Sequence, residues 1–225
     1  MGKKNNFTEK IRILHVAQAA GGVDRYIRML FKYMDHERFE NYLVCSRDFK
    51  REDYNGLADA FEYVDMQRPI NKTDLTAMHD VRKLIRKYEP DIVYAHSSKA
   101  GAITRVANIQ IKKENGKKIK CIYNPHGWAF NMRCGKKKQI MYTLIERIAA
   151  LFCDKIICIS EAEKRSALSK RICGEGKLQV ILNGVDVEKY EHRKISGVNT
   201  VNREACGISE DAFVIGMVGR IKEKK

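Results

Sequence analysis

The sequence predicts a doubly wound, Rossmann-like α/β fold, in which a parallel sheet carries helices on both faces. Two observations favour this fold class. Short apolar runs of strand length alternate along the chain with longer segments whose apolar residues recur at helical spacing. Glycine, proline or capping residues separate most of these segments, as turns between elements require. The strands are predicted at 11–16, 42–45, 62–66, 91–95, 119–123, 155–159 and 178–182.

The stretch that opens the chain has the pattern strand, glycine turn and helix. A small-residue turn over 19–22 is followed by an amphipathic helix over 23–34. Its adjacent glycines, Gly21 and Gly22, let backbone amides approach a ligand at a helix N-terminus, where the helix dipole favours a phosphate or pyrophosphate. A tight turn without a ligand is the equally supported alternative. A nicotinamide cofactor is disfavoured, because no complete G-x-G-x-x-G pattern is present.

The middle of the chain continues the alternation. A helix is predicted over 73–88 and ends before a proline, which cannot continue it. Another helix follows Ser97, and a third covers 140–152. Ser160 begins a capping box, S-x-x-E, that starts the helix after the sixth strand. In such a sheet ligands bind outside the carboxyl ends of the strands, so binding residues are expected in the strand-to-helix loops.

The apolar density falls after residue 184, which predicts a domain boundary. We expect residues 1–184 to form one domain, residues 185–211 a linker, and residues 212–225 the first strand of a second α/β domain. The run F-V-I-G-M-V at Phe213 carries the last of these predictions. Because a strand without a neighbour exposes unpaired backbone groups, the sequence predicts a truncated piece of a longer protein.

Composition limits the class of protein. Of 225 residues, 44% are hydrophobic, which is enough for a substantial core. No apolar run approaches the roughly 18–20 residues of a membrane span. The first ten residues lack the apolar centre of a signal peptide, so a cytoplasmic location is expected. The seven cysteines form no C-x-x-C pair and the six histidines lack ligand spacing, so reduced thiols are expected and a metal is not.

The charge balance points to an acidic partner. Lysine and arginine number 43 against 28 acidic residues, a formal net charge of +15. The partner could be nucleic acid, an anionic membrane surface or a phosphorylated substrate. The basic residues are spread over many segments, and no RNP, zinc-finger or basic-zipper pattern appears, so a nucleic-acid partner is not expected.

Seven segments resemble, in order, the sequence motifs of one family. They are G-G-V-D-R-Y at Gly21, P-D-I-V-Y-A-H at Pro90, H-S-S-K-A-G at His96, N-P-H-G-W-A-F at Asn124, I-C-I-S-E at Ile157, L-N-G-V-D at Leu182 and V-G-R-I-K-E-K-K at Val218. Together they resemble the retaining nucleotide-sugar glycosyltransferases of family 4, in a subgroup that assembles polysaccharides. The resemblance implies the N-terminal half of a GT-B fold, in which two Rossmann-like domains face each other.

The resemblance implies a donor site for a nucleotide-diphosphate sugar, a UDP-sugar, without a metal or cofactor. Breaking the sugar–diphosphate bond leaves negative charge that cations and oriented amides stabilise. Arg220 and Lys225 match the family's two diphosphate-binding cations, and the amides of Gly21 and Gly22 add a nest. His126 matches a catalytic histidine that positions the sugar and stabilises the transition state rather than acting as a general base. An ordinary basic strand end and a histidine satisfied within its loop are the alternatives.

The acceptor implied by the resemblance is a saccharide, such as a polyprenyl-diphosphate-linked sugar at the inner face of a bacterial membrane. Ser97, Lys99 and Arg105 are the expected acceptor-side residues, with Lys99 pairing an acceptor phosphate. Structural roles are equally supported for these three side chains.

Contact with an anionic membrane surface is expected in the segment 127–152. Trp128, Phe130 and Met132 precede the basic run 136–138 and an amphipathic helix there. A helix packed on its own domain beneath a solvated lysine cluster is the equally supported alternative.

One part of the family pattern would lie beyond Lys225. It is the E-x7-E pair that holds the donor sugar and ribose, and without it the chain alone is expected to be inactive as a transferase. Two other functions remain open at this point. One is a sugar-nucleotide epimerase on the same fold, and the other is a basic nucleic-acid-binding module, which only the net charge favours.

Overall fold

A parallel sheet forms the centre of the first of two units, Met1–Gly184 and Val185–Lys225. The computed structural model describes residues 9–67, 70–187 and 203–217. Over these ranges seven strands join one sheet. They are β1 (Ile11–Ala17), β2 (Phe39–Cys45), β3 (Ala60–Tyr63), β4 (Ile92–His96), β5 (Lys120–Asn124), β6 (Lys155–Cys158) and β7 (Leu178–Val180).

Five α-helices connect the strands within the described ranges. They are α1 (Gly22–Tyr33), α2 (Thr73–Tyr88), α3 (Ser98–Ala107), α4 (Lys136–Ala149) and α5 (Glu161–Ser169). The predicted alternation of strands and helices is therefore confirmed. Two predicted bounds differ most from the structure: the third strand lies at Ala60–Tyr63 rather than 62–66, and the helix predicted over 140–152 is α4 at Lys136–Ala149.

The strand order is β3-β2-β1-β4-β5-β6-β7, and every pairing between neighbours is parallel. The chain winds outward in one direction from β1 to β3 and in the other from β4 to β7. The order therefore reverses between β1 and β4, where Ala17 lies beside His96, which in turn lies beside Asn124 of β5. In open α/β sheets this reversal opens a crevice above the carboxyl ends of the strands.

Helices cover both faces of the sheet, so its strands are apolar on both sides. On one face α1 packs Ile27 and Phe31 against Ala17 and Leu43. The opposite face is covered by α2 and α3, and farther along by residues of α5. The core residues of that face include Leu14, Val16, Val81, Ile85, Val93, Ile103, Tyr123, Ile156 and Ala167.

A glycine lets α3 approach β5 closely. A Cβ atom built on Gly101 would lie 2.2 Å from Cε2 of Tyr123, closer than any side chain tolerates. The absence of a side chain therefore brings the next turn of α3, which carries Arg105, over the Tyr123 ring, with the guanidinium carbon 4.0 Å from the ring centroid.

The predicted capping box at α5 is present with a small shift. Ser160 Oγ accepts a hydrogen bond from the Glu163 amide at 3.1 Å, as expected. The Glu163 carboxylate accepts from the amide of Ile159 at 2.8 Å, one residue earlier than in the usual motif. The Trp128 indole donates to the Glu163 carbonyl at 3.0 Å, which ties the loop after β5 to this helix.

The second unit is described over residues 185–187 and 203–217, and these residues contain one short 3-10 turn, Glu204–Cys206. The strand predicted at 213–218 is not formed over 213–217, which are irregular. Phe213 and Met217 are 93% and 94% exposed. A strand needs a neighbour to satisfy its backbone groups, and none pairs with this segment among the described residues.

Each of the seven cysteines is a free thiol, and Cys45, Cys121, Cys153 and Cys158 are buried. Desolvation raises the pKa of the Cys121 thiol to about 12, so it stays protonated at neutral pH. None of the described helices combines the length and the apolar character that crossing a bilayer would require.

Candidate functional site

The candidate site lies where β1, β4 and β5 end side by side. Gly21, Ser97 and His126 occupy the three loops that leave these strands, and the register between the strands brings the loops to one edge of the sheet. This edge is also where the strand order reverses. The sheet therefore assembles residues separated by more than a hundred positions in sequence at the place where such folds bind ligands.

Gly21 supplies a backbone conformation that the turn before α1 requires. Its φ of 100° lies in the left-handed region that favours glycine. A Cβ atom built on Gly21 or on Gly22 would meet nothing within 4 Å, so the space above both residues is open. Among the described residues, no side chain caps the start of α1. The first amides of the helix therefore border an open volume that can accept an anionic group.

Ser97 has a strained backbone at the start of α3. Its φ of 70° and ψ of 159° lie in a region that residues other than glycine rarely adopt. The conformation is held on both sides, because the Ser97 amide donates to the Asn124 carbonyl at 2.9 Å and its carbonyl accepts from Gly101 at 2.8 Å. The Ser97 hydroxyl is enclosed without a hydrogen bond among the described residues. Strain held in this way is typical of functional sites.

His126 is presented by a tight turn after β5. Its φ is 48° and that of Gly127 is 104°, and the His126 amide donates to Asn124 Oδ1 at 3.0 Å. The edge of the His126 ring packs against the Tyr26 ring, with centroids 4.7 Å apart. Burial lowers the pKa of the His126 imidazole to about 4, so the ring is neutral at pH 7. A neutral imidazole offers one donor and one acceptor and carries no charge.

Two further histidines lie behind His126 and extend into the sheet. The Nδ1 atom of His96 is 3.1 Å from Nε2 of His126, and the Nδ1 atom of His15 is 3.1 Å from Nε2 of His96. His15 and His96 are completely buried. Burial lowers the pKa of His15 to about 3, and burial together with the neighbouring histidines lowers the pKa of His96 well below its ordinary value. All three rings are therefore neutral at pH 7.

Neither His15 nor His96 was assigned a role from the sequence. The available signal was a histidine inside the predicted strand 11–16 and a histidine directly after the predicted strand 91–95. Tyr26 and Tyr94 were also missed, and their hydroxyl oxygens lie 3.2 Å apart beside the histidines. A polar side chain in a buried strand usually belongs to a hydrogen-bond network or a functional site, even when all its sequence neighbours are apolar.

Lys99 is paired within the first unit. Its Nζ atom lies 2.7 Å from Asp74 Oδ1 of α2, and only 11% of the lysine side chain is exposed. An acceptor phosphate would have to replace Asp74 as its partner.

The placement of Arg105 does not fit the predicted acceptor-side role. Its side chain is completely enclosed, donates to the Gly101 carbonyl at 2.8 Å and forms an ion pair with Glu146 of α4 at 2.8 Å. Helical geometry turns this residue toward α4 and the sheet instead of the open crevice, so it serves the packing of the unit.

The remaining predictions concern ions and ligands. Arg220 and Lys225, the expected diphosphate-binding cations, lie outside the described residues. Within the described ranges no group of three or more histidine, cysteine or acidic residues is arranged to hold a metal ion.

The outer face of α4 is apolar, although no described element covers it. Ile140, Leu144 and Ile148 lie along it and are 68%, 54% and 53% exposed, and Leu151, 73% exposed, continues this apolar stripe in the 3-10 turn that follows the helix. The inner face buries Glu146 and Ala149 against the rest of the unit.

The aromatic residues predicted to reach a membrane are turned inward. Trp128 and Phe130 are each only 2% exposed and stack on each other in the core, which corrects the prediction that they contact a bilayer. Met132 is 60% exposed. The exposed basic residues 136–138 lie at the first turn of α4, next to the apolar stripe on that helix.

Comparison with known proteins gives consistent matches. The family described as Glycosyltransferase Family 4 matches residues 20–189. A relative from Escherichia coli, UDP-Gal:alpha-D-GlcNAc-diphosphoundecaprenol alpha-1,3-galactosyltransferase, is 29% identical over 221 residues. The match covers 96% of this chain and 55% of the relative, so the chain spans about half the length of the relative.

Solved structures share the fold at low sequence identity. Anabaena Alr3699/HepE in complex with UDP-glucose superposes with a TM-score of 0.63 and 18% identity, covering 88% of this chain and 50% of that one. UDP-GlcNAc 2-epimerase from Neisseria meningitidis, bound to UDP-GlcNAc, gives a TM-score of 0.57 and 15% identity, covering 82% and 51%. At these identities the similarity establishes the Rossmann-like fold and leaves the reaction to other observations.

Proposed function

The chain belongs to glycosyltransferase family 4, and on this premise we propose that the full-length protein transfers a sugar from a UDP-sugar to a lipid-linked saccharide in polysaccharide synthesis. The observation that carries the proposal is the meeting of Gly21, Ser97 and His126 at the strand-order reversal, beside an open volume. The name of the Escherichia coli relative, which specifies a UDP-galactose donor and a diphosphoundecaprenol-linked acceptor, supports both substrate classes.

In this proposal the donor diphosphate lies against the start of α1. The amides at Gly21 and Gly22 face an open volume and sit at the positive end of the helix dipole, which suits a leaving group that gains negative charge. Arg220 and Lys225 remain the two cations that the family resemblance assigns to the diphosphate. Retention of the anomeric configuration is the stereochemistry expected of the family.

His126 would bind the transferred sugar through a hydrogen bond. Because burial keeps its imidazole neutral at pH 7, it cannot act as a general acid there, and a hydrogen bond to a sugar hydroxyl is the contribution open to it. The strained Ser97 lies at the neighbouring strand end, and its unpartnered hydroxyl is enclosed, so it would reach an acceptor only after a local rearrangement of its loop. Lys99 would join it only by exchanging Asp74 for an acceptor phosphate.

A transfer assay on the full-length protein tests the proposal. We expect transfer of labelled sugar from a UDP-sugar to a polyprenyl-diphosphate saccharide, and a loss of about 10²-fold in kcat for His126→Ala, the usual size for one lost transition-state hydrogen bond. His79→Ala is the matched control, because His79 is exposed on α2. Conversion of a UDP-sugar to its epimer without any acceptor would instead establish the epimerase alternative.

We also propose that the apolar stripe on α4 docks the protein on an anionic membrane, where a lipid-linked acceptor resides. Four exposed aliphatic side chains, Ile140, Leu144, Ile148 and Leu151, form the stripe, and the basic run 136–138 adjoins it. Inserting each aliphatic side chain contributes about 1.5–3 kcal/mol at full burial. Each lysine near an anionic surface adds about 1 kcal/mol. These contributions are sufficient for reversible attachment.

Vesicle flotation tests the docking surface. The double substitution Leu144→Ser and Ile148→Ser is expected to weaken binding to vesicles containing anionic lipid by at least about tenfold, because two insertions are lost. Leu75→Ser is the control, since Leu75 is 68% exposed on α2 and is not part of the stripe. Equal binding by the double variant and the wild type, or equal binding to neutral and anionic vesicles, would contradict the proposal.

A further inference from the structure

The three histidines form a continuous hydrogen-bonded chain that runs from the sheet interior to the candidate site. His15 on β1 contacts His96 at the end of β4, and His96 contacts His126 after β5, with nitrogen–nitrogen distances of 3.1 Å at both links. The rings are stacked, with centroids 5.4 Å apart in each pair and interplanar angles of 8° and 26°. Each contact joins Nδ1 of one ring to Nε2 of the next.

This head-to-tail order couples the tautomers of the rings. A neutral imidazole carries one N–H, and each link needs one N–H between its two nitrogens. Both links are therefore satisfied in only two ways. Either all three rings carry the proton on Nδ1, and His15 donates to His96, which donates to His126, or all three carry it on Nε2 and the donation runs in reverse.

The two arrangements differ at the ends of the chain. With the protons on Nδ1, His126 presents an N–H to the site and His15 keeps a bare Nε2 in the interior. With the protons on Nε2, His126 presents a bare nitrogen and His15 buries an N–H. His15 Nε2 is enclosed without a hydrogen bond among the described residues, and so are both polar side-chain atoms of Asn41. Asn41 lies near His15; burial lowers the pKa of His15 and Asn41 partly opposes that shift, but the two side chains do not meet the geometric limits of a hydrogen bond.

We propose that His15 and His96 are positioning residues that hold His126 in the Nδ1–H tautomer, so that His126 faces the site as a hydrogen-bond donor. A buried N–H without a partner is the less tolerated of the two ends, because orphaned buried donors are rarer in proteins than under-satisfied acceptors. The Nδ1 atom of His126 has no hydrogen bond in the described part of the chain, and it is not an enclosed atom. The identity of the group that receives its N–H rests on the proposed function, and the tautomer itself does not.

The tautomers are measurable by NMR on the chain labelled with ¹⁵N in histidine. We expect the proton on Nδ1 in His15, His96 and His126 at neutral pH, with couplings across the two nitrogen–nitrogen hydrogen bonds in the wild type. His36 provides an internal reference for the other tautomer, because its Nε2 donates to the Phe31 carbonyl at 2.8 Å. His79 reports an exposed ring.

Substitution of the most remote ring is the decisive test. His15→Met leaves His96 free to carry its proton on either nitrogen, so the Nδ1–H fraction of His126 is expected to fall although His15 does not contact it. Phe31→Leu is the control, because Phe31 packs on the His15 ring with centroids 4.7 Å apart and contributes no proton. It is expected to leave the tautomers unchanged.

The outcomes separate this inference from the proposed function. Three results would each overturn the proposal. They are a proton on Nε2 of His126 in the wild type, the absence of couplings across the two links, and a His126 tautomer that is unchanged in His15→Met. The NMR measurement needs no substrate. If the expected tautomers are found in a protein that shows no transfer activity, only the proposed function is refuted. In an active protein, His96→Met is expected to lower kcat while KM for the donor changes less.

Discussion

Replacing Arg105 with methionine is expected to lower the free energy of unfolding by about 3–5 kcal/mol, the cost of breaking a buried ion pair. The Arg105 guanidinium is the only cation that contacts the enclosed Glu146 carboxylate among the residues described. The carboxylate also accepts from the Tyr123 hydroxyl at 2.8 Å, and the Tyr123 ring lies under the guanidinium. Burial opposes the charge on Arg105, but the Glu146 carboxylate outweighs it and raises the pKa of Arg105. Urea denaturation of the variant measures the effect.

Two companion variants distinguish the ion pair from simple packing. The double variant Arg105→Met, Glu146→Met removes both charges at similar volume, so it is expected to be more stable than Arg105→Met alone. Arg105→Lys keeps the charge but loses the planar group over Tyr123 and the bond to the Gly101 carbonyl, so it is expected to destabilise as well. A single variant as stable as the wild type would show that Glu146 finds another partner or takes up a proton.

Most of the fold was predictable because the spacing of apolar residues within each segment indicates whether it forms a helix or a strand. The helix over 73–88 has a strong apolar periodicity, and the structure has α2 at Thr73–Tyr88. Parallel strands need a crossover connection, usually a helix, so the alternation of strands and helices predicts a parallel sheet. The strand predicted at 62–66 lies at Ala60–Tyr63 in the structure. Val64 and Met66 are buried, which suggested a strand, but they lie in the loop that follows it.

The candidate site was predictable only where backbone conformation leaves a mark in the sequence. Gly21 and the turn around His126 carry such marks, a glycine pair and a P-H-G sequence. Arg105 was misread, because the direction in which a helical side chain points depends on which helix packs beside it, and that is set by the tertiary structure. The chain of three histidines could not be predicted from the sequence, because its residues lie on separate segments and become neighbours only when β1, β4 and β5 pair.

Lowering the pH from 7 to 5 is expected to reduce the free energy of unfolding by about 2 kcal/mol for each of His15 and His126, or about 4 kcal/mol for the two, and His96 acts in the same direction. In the unfolded chain a histidine takes up a proton below its ordinary pKa of 6.5, whereas burial lowers the folded pKa to about 3 for His15 and about 4 for His126, and lowers that of His96 as well. The unfolded state therefore binds more protons in this window. The stabilisation is complete above pH 6.5 and is lost as the pH falls toward the folded pKa values.

The pH window separates the histidines from the carboxylates. The hydrogen bond from Lys87 lowers the pKa of Glu62, and that from Lys164 lowers the pKa of Glu175, so these pairs lose stability only below the ordinary carboxyl pKa of 4.5. A slope measured by urea denaturation between pH 6.5 and pH 5 thus belongs to the histidines. His15→Met should remove about one third of that slope, because it deletes one of three linked protons. A stability that stays constant over this window would mean that the folded rings take up protons as readily as the unfolded chain, and that burial does not keep them neutral below pH 6.5.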